Sequence, residues 1–194
     1  MARNKEFDPD AVLQSALELF WRQGYEATSM ADLVAHLGIG RASIYATYGN
    51  KHDLYLKALD RYGEQQSPQL VRDLSQPGPA LPAVRALVRR FAAEAADEED
   101  RANGCFVTNT AAELAPHDPA AARRVELTWE HVETLLHSSL VRAQAQGELP
   151  GERDPRALAR MLLVLMQGLR VVGKASSDPA RVRDAAEQAL EILN

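Results

Sequence analysis

Cysteine is nearly absent from this chain of 194 residues: the single one, Cys105, excludes an intramolecular disulfide and any zinc finger or other multi-cysteine metal cluster. β-Branched apolar and aromatic residues are also scarce. Ile and Val fill 16 positions and aromatics 6%, too few for an ordinary sheet protein. Long hydrophobic runs are missing as well. The longest, Met161 to Met166, has six residues against the roughly 20 needed to cross a bilayer, so no membrane partner is expected. At the N-terminus Arg3 and Lys5 have no apolar stretch behind them, which does not read as a secretory signal and leaves a cytoplasmic protein as the expectation. What the chain has in excess is Ala and Leu, 57 residues together, the types that lose least rotamer freedom in a helix. An all-α fold is expected. The net charge of −5, taken alone, speaks against a nucleic-acid partner.

Four segments open with Asp-Pro, at Asp8-Pro9, Asp118-Pro119, Asp154-Pro155 and Asp178-Pro179. Asp is a strong N-cap, and Pro is tolerated at the first helical position. The spacing of apolar residues then predicts helices over Pro9–Gln23, from Ser29 to the stop at Gly38, over Arg41–Thr47, and from Asn50 to about Tyr62. Ser29 with Asp32, and Asn50 with Asp53, match the reciprocal capping pattern. The stretch Ser67 to Pro82 holds four prolines and reads as a helix end, a loop and a new start. Further helices are predicted over Ala83–Ala96, Asn103–Leu114, Ala120–Gln146, Pro155–Lys174 and Pro179–Leu193, with the charge run Asp97 to Arg101 as a solvated loop.

Two helices of under three turns, separated by a turn containing Gly38, suggest a helix-turn-helix. Phe20, Leu33, Leu37 and Ile44 would support it, and the second helix would expose Arg41, Ala42, Ser43, Tyr45, Ala46 and Thr47, groups suited to base edges and phosphates in a major groove. Lys51 adds a cation at a helix N-terminus, where the macrodipole disfavours it unless a phosphate approaches. Residues 36 to 57 hold Arg41, Lys51 and Lys57 against Asp53 alone, so the proposed DNA face is positive inside an acidic chain.

Thr28-Ser29-Met30-Ala31-Asp32-Leu33-Val34, Leu37-Gly38-Ile39-Gly40-Arg41-Ala42-Ser43-Ile44-Tyr45 and Tyr48-Gly49-Asn50-Lys51-His52-Asp53-Leu54 resemble the N-terminal signature of the TetR family of bacterial transcriptional regulators, over about residues 9 to 60. The resemblance implies a DNA-binding domain over residues 1–57 and a helical domain over residues 58–194 that binds an effector and dimerises. It implies a repressor released from a palindromic operator by a small molecule, with no enzymatic activity and no cofactor. Carried over by position, the DNA-contacting set is Thr28, Ser29, Gly40, Arg41, Ala42, Ser43, Tyr45, Thr47, Tyr48 and Lys51. Gly40 stands where the family usually has a capping Ser, and Tyr48-Gly49 replaces the commoner Phe followed by a bulkier residue.

In the C-terminal half, Leu158, Met161, Leu162, Leu165, Leu169 and Val172 form one stripe while Leu163, Val164 and Met166 fill the other side, so this helix would be covered all round. A second copy of the same surface is the simplest cover. Val125, Trp129, Val132, Leu136 and Leu140 on the preceding helix would join it in a homodimer interface. For an effector pocket the candidates are Phe91, Cys105, Phe106, Trp129, His131 and Met166. Cys105, close to a helix start and Arg101, also raises the alternative of a thiol-based sensor of electrophiles or oxidants; Asp97 to Asp100 oppose it by raising the thiol pKa. The enzyme alternative finds no HExxH, nucleophile elbow, P-loop or GxGxxG. Glu130, Glu133 and His137 could bear a metal from one helix, but without a second ligand-bearing helix no metal site is expected.

Overall fold

The structure, a computed structural model, describes residues 7–193, so Arg3 and Lys5 lie outside the described residues. It is helical throughout: α1 Pro9–Gln23, α2 Met30–Leu37, α3 Arg41–Tyr48, α4 Lys51–Ser75, α5 Ala80–Ala96, α6 Glu98–Asn103, α7 Phe106–Glu113, α8 Pro119–Ala145, α9 Pro155–Ala175 and α10 Ala180–Glu191. The caps follow the chemistry of the sequence. Asp8, Asp118 and Asp154 each accept a backbone N–H of the first turn they open, from Asp10, Ala121 and Arg156. Ser29 with Asp32 and Asn50 with Asp53 form reciprocal capping boxes at α2 and α4. Membrane-crossing length and apolarity are absent from every helix among the described residues.

Three boundaries differ from the sequence reading. α4 does not end near Tyr62; it runs to Ser75 with Pro68 inside it. An interior Pro removes one helical hydrogen bond and costs about 3 kcal/mol or more, and here the burial of Leu70 and Leu74 beyond it offsets that loss. The charge run is helical rather than a loop, with Asp97 accepting the Glu99 N–H and Arg101 donating to the Ser176 carbonyl. The helix expected over Asn103–Leu114 is split, because the chain turns at Gly104 and restarts after Cys105.

Two cores result. One gathers α1, α2, α3 and the first half of α4, and extends into the C-terminal half through Phe106, Val107, Leu114, Ala121 and Val125. The other is built from the second half of α4 with α5, α8, α9 and α10. α4 therefore belongs to both, and the expected domain break at residues 57 and 58 falls inside a continuous helix. α5 and α9 cross closely at Gly173, where a Cβ would collide with the Ala95 backbone carbonyl, so only glycine permits the approach.

Candidate nucleic-acid interface and effector cavity

α2 and α3 stand on buried Leu33, Leu37 and Ile44, with Phe20 of α1 beneath them. That support leaves Arg41, Ala42, Tyr45 and Ala46 exposed on α3, with Ser43 and Thr47 half-buried beside them. Arg41 Nη2 lies 3.3 Å from the Tyr45 hydroxyl, and its guanidinium carbon 5.5 Å from the ring centroid, so the two side chains present one surface. Gly40 starts α3 without a side-chain cap. Ser29 is exposed, but its hydroxyl donates to Asp32 and accepts the Asp32 N–H, which holds the Asp32 carboxyl below its ordinary pKa.

Two candidate contacts are withdrawn by the geometry. Thr28 is fully buried and its hydroxyl donates to the Gly24 carbonyl at 2.6 Å. Tyr48 is 5% exposed, its hydroxyl donating to the Pro9 carbonyl at 2.7 Å. Both hydroxyls hold helix ends together, because a polar group in a small core has to find a partner there. Lys51 is half-buried, and its ammonium donates to the carbonyls of Tyr25 (2.8 Å) and Thr28 (2.9 Å) from 4.1 Å over the Tyr25 ring. The unfavourable dipole at the start of α4 is thus compensated inside the fold, and one N–H of the three remains.

The turn between α1 and α2 is held from the other side as well. Glu113, at the end of α7, accepts the backbone N–H of Tyr25 at 3.1 Å and of Glu26 at 2.9 Å. Gly24, at φ 87°, lets the carboxylate in; a Cβ there would sit 3.0 Å from both oxygens. Nearby, His52 of α4 pairs with Asp118, the cap of α8. Burial alone would raise the Asp118 pKa, but the Ala121 N–H and His52 bring it below its ordinary value. No sequence pattern announces Glu113, since its partners are backbone atoms 87 and 88 residues away.

In the second half of the chain, Phe91, Cys105, Trp129, His131 and Met166 come together around a cavity of about 90 Å³ that opens to solvent. Phe106 is not among them: it is 1% exposed and packs edge-on against Tyr55 and Tyr62 in the first core. The lining also includes Tyr62, Arg90, Val107, Gln167 and Arg170. Arg170, four residues after Met166, shares its helix face and was legible on that ground; Tyr62 was hidden by placing it at a helix end. The two arginines are neutralised, Arg90 by Asp73 at 2.7 Å and by Glu94, and Arg170 by Glu94 at 3.1 Å. His131 sits exposed with its Nε2 2.9 Å from the Ser67 hydroxyl. Trp129 buries its indole N–H without an acceptor among the described residues.

Six of the expected dimer residues require correction. Val125, Leu136, Leu140, Leu158, Leu162 and Leu169 are at most 8% exposed inside the chain's own cores, and Trp129, Val132, Met161 and Leu165 are half-buried against them. Periodicity shows which residues share a face, not which face turns inward. The apolar residues that α8 and α9 leave outside are Leu127, Val141, Val164, Val171 and Val172, with Val164 at 70%. Among the described residues no group of three His, Cys, Asp or Glu could hold a metal, and Glu133 is occupied by Arg160 and Arg156.

Residues 12–58 match the family model "Bacterial regulatory proteins, tetR family", and residues 80–189 match "Tetracyclin repressor-like, C-terminal domain". The chain belongs to the tetR family of bacterial regulatory proteins. It is 40% identical over 195 residues to the uncharacterized HTH-type transcriptional regulator YezE of Bacillus subtilis, covering 100% of both chains. To the HTH-type transcriptional repressor ComR of Escherichia coli it is 30% identical, over 98% of this chain and 90% of the relative. Its fold is similar to that of a cysteine mutant of the TetR family regulator CifR complexed with 26 bp double-strand operator DNA: TM-score 0.86, 29% identity, 99% of this chain and 100% of the other. The tetR-family chain is therefore a DNA-binding transcriptional regulator, with α2 and α3 as its helix-turn-helix.

Proposed function

We propose that this tetR-family protein is a cytoplasmic, homodimeric repressor that acts by binding equilibria alone and leaves a palindromic operator when a small molecule occupies its cavity. The observation that carries the DNA assignment is the exposed Arg41–Tyr45 surface on a helix whose opposite side is fixed by Ile44 and Tyr48. Arg41 and Tyr45 read base edges and phosphate, Ala42 and Ala46 let the helix approach, and Ser43, Thr47 and the uncapped N-terminus at Gly40 add polar contacts at the groove wall. Ser29 and the remaining N–H of Lys51 meet the phosphate backbone. The exposed valines of α8 and α9 form the two-fold contact, and two recognition helices then reach successive major grooves about 34 Å apart.

The effector is neutral and mostly apolar, because the cavity's arginines are already matched by Asp73 and Glu94. An acceptor on it would satisfy the Trp129 N–H. A thiol-directed reading is supported by the place of Cys105 on the cavity wall: an electrophile bound there would meet the chain's one thiol. Inducer action rests on differential affinity for the two states of the dimer.

The test is capture of genomic fragments on the purified protein, followed by affinity against salt for a recovered palindromic site. Arg41→Ala should reduce the salt slope by about 0.9, one phosphate's worth, with unfolding unchanged. Lys51→Ala should lower thermal stability as well as the slope, since it also releases the Tyr25 and Thr28 carbonyls. Non-palindromic sites, or an unchanged slope in both variants, would overturn the assignment.

A further inference from the structure

α7 is eight residues long and touches both functional regions. At its start, Cys105 and Val107 line the cavity, and the Thr108 hydroxyl donates to Gln167 of the same wall at 2.7 Å. At its end, the Glu113 carboxylate holds the two backbone N–H groups that lead from α1 into α2. Between them Thr110 bonds the Tyr55 hydroxyl at 2.8 Å, which keeps the helix against α4. Eight residues at 1.5 Å each separate Cys105 from Glu113 by about 12 Å, a rigid span.

Besides the Thr28 hydroxyl on the Gly24 carbonyl, the turn is held by two charged side chains. Its N–H groups at Tyr25 and Glu26 go to Glu113, and its carbonyls at Tyr25 and Thr28 go to Lys51. Ser29 caps α2 directly after it, and α3 follows α2 within four residues. We propose that Glu113 is the positioning residue through which occupation of the cavity resets α2 and α3. A ligand that displaces the Cys105 end of α7 moves the carboxylate off one or both N–H groups. The state it favours is then one in which the start of α2 is no longer held, so ligand and operator oppose each other through one pair of hydrogen bonds.

The proposal rests on the cavity being the effector site, and its test uses neither DNA nor effector. Amide hydrogen exchange by NMR reads the Tyr25 and Glu26 N–H groups individually. Iodoacetamide, which finds a single cysteine in this chain, enlarges the side chain at 105, and Cys105→Phe does so without relying on thiol access. Both should speed exchange at Tyr25 and Glu26 at least tenfold while Leu19 and Phe20 of α1 keep their protection. Glu113→Gln should give the same acceleration with the cavity unmodified, and Cys105→Phe added to it should change exchange less than twofold. Unchanged protection at Tyr25 and Glu26 in Cys105→Phe would overturn the proposal. So would equal acceleration throughout α1, which would mean general loosening. A failure of the effector reading would show separately, as small molecules that leave operator affinity unaltered.

Discussion

The two cores of this protein are made of different material. Around the helix-turn-helix, rings meet edge to face, with centroids 5.0 Å apart for Phe20–Tyr55 and Tyr25–Tyr55, and 5.1 Å for Tyr55–Phe106 and Trp21–Tyr62. Several carry a polar tip to a fixed partner: Tyr48 to the Pro9 carbonyl, Trp21 to the Gly104 carbonyl, Tyr55 to Thr110. The buried hydrophobic residues of the second core are all Ala, Val, Leu and Met, with the Ser139 hydroxyl on the Leu74 carbonyl as a buried polar contact beside them. Ring geometry and hydrogen bonds are directional, whereas an aliphatic core can repack at small penalty. The region that must hold α3 at a set angle is thus the directional one, and the region that must admit a ligand is the adaptable one.

The largest expected contrast comes from one substitution in each core. Phe20→Ala removes a fully buried ring from beneath α2 and α3 and should cost about 3–5 kcal/mol, read from denaturant midpoints. Leu162→Met, equally buried in the other core, should cost under about 1.5 kcal/mol. Similar losses at the two sites would break the comparison.

How far this contrast was legible from sequence depended on the range of the contacts involved. Caps and helix starts are local, so Asp8, Ser29, Asn50, Asp118 and Asp154 could be read from residues next to them. The support of α3 was legible for the same reason: Leu33 and Leu37 fall on one face of α2 at i, i+4, and Ile44 is the apolar residue at the middle of α3. What escaped was the choice between faces. An all-round apolar helix suggests a second copy as cover for Leu158, Leu162 and Leu169, yet these residues are buried in the chain's own second core and Val164 and Val171 remain outside. Thr28 and Tyr48 escaped because a hydroxyl can serve DNA or a neighbouring carbonyl, and only the tertiary fold decides. Glu113 escaped entirely, as any carboxylate does whose partners are distant backbone N–H groups.

A smaller effect sharpens the directional side of the contrast. Thr110 spends its hydroxyl proton on the Phe106 carbonyl at 2.8 Å, so the bond to Tyr55 has the phenol as donor. Burial holds the Tyr55 pKa well above its ordinary value, which keeps that proton in place. Tyr55→Phe then removes one donor and leaves Thr110 with its own proton still bonded. The expected loss is about 1 kcal/mol in equilibrium unfolding, the net worth of a hydrogen bond rather than of an orphaned group.

The smallest effect concerns the His52–Asp118 pair, which joins the first turn of α4 to the cap of α8. Asn is as good an N-cap as Asp, so Asp118→Asn keeps the cap and removes the charge. At neutral pH the variant should be less stable by under about 1 kcal/mol, as for other partly exposed pairs. The sign of the pH dependence follows from the lowered Asp118 pKa: its contribution is complete above the unfolded value, about 3.9, and disappears as pH falls through the folded one. The stability difference between the two proteins should therefore vanish as pH falls below about 4. A gap that persisted into strong acid would assign the effect to the shape of the cap instead of its charge, and would leave the directional bonds of α7 as the polar tie between the two cores.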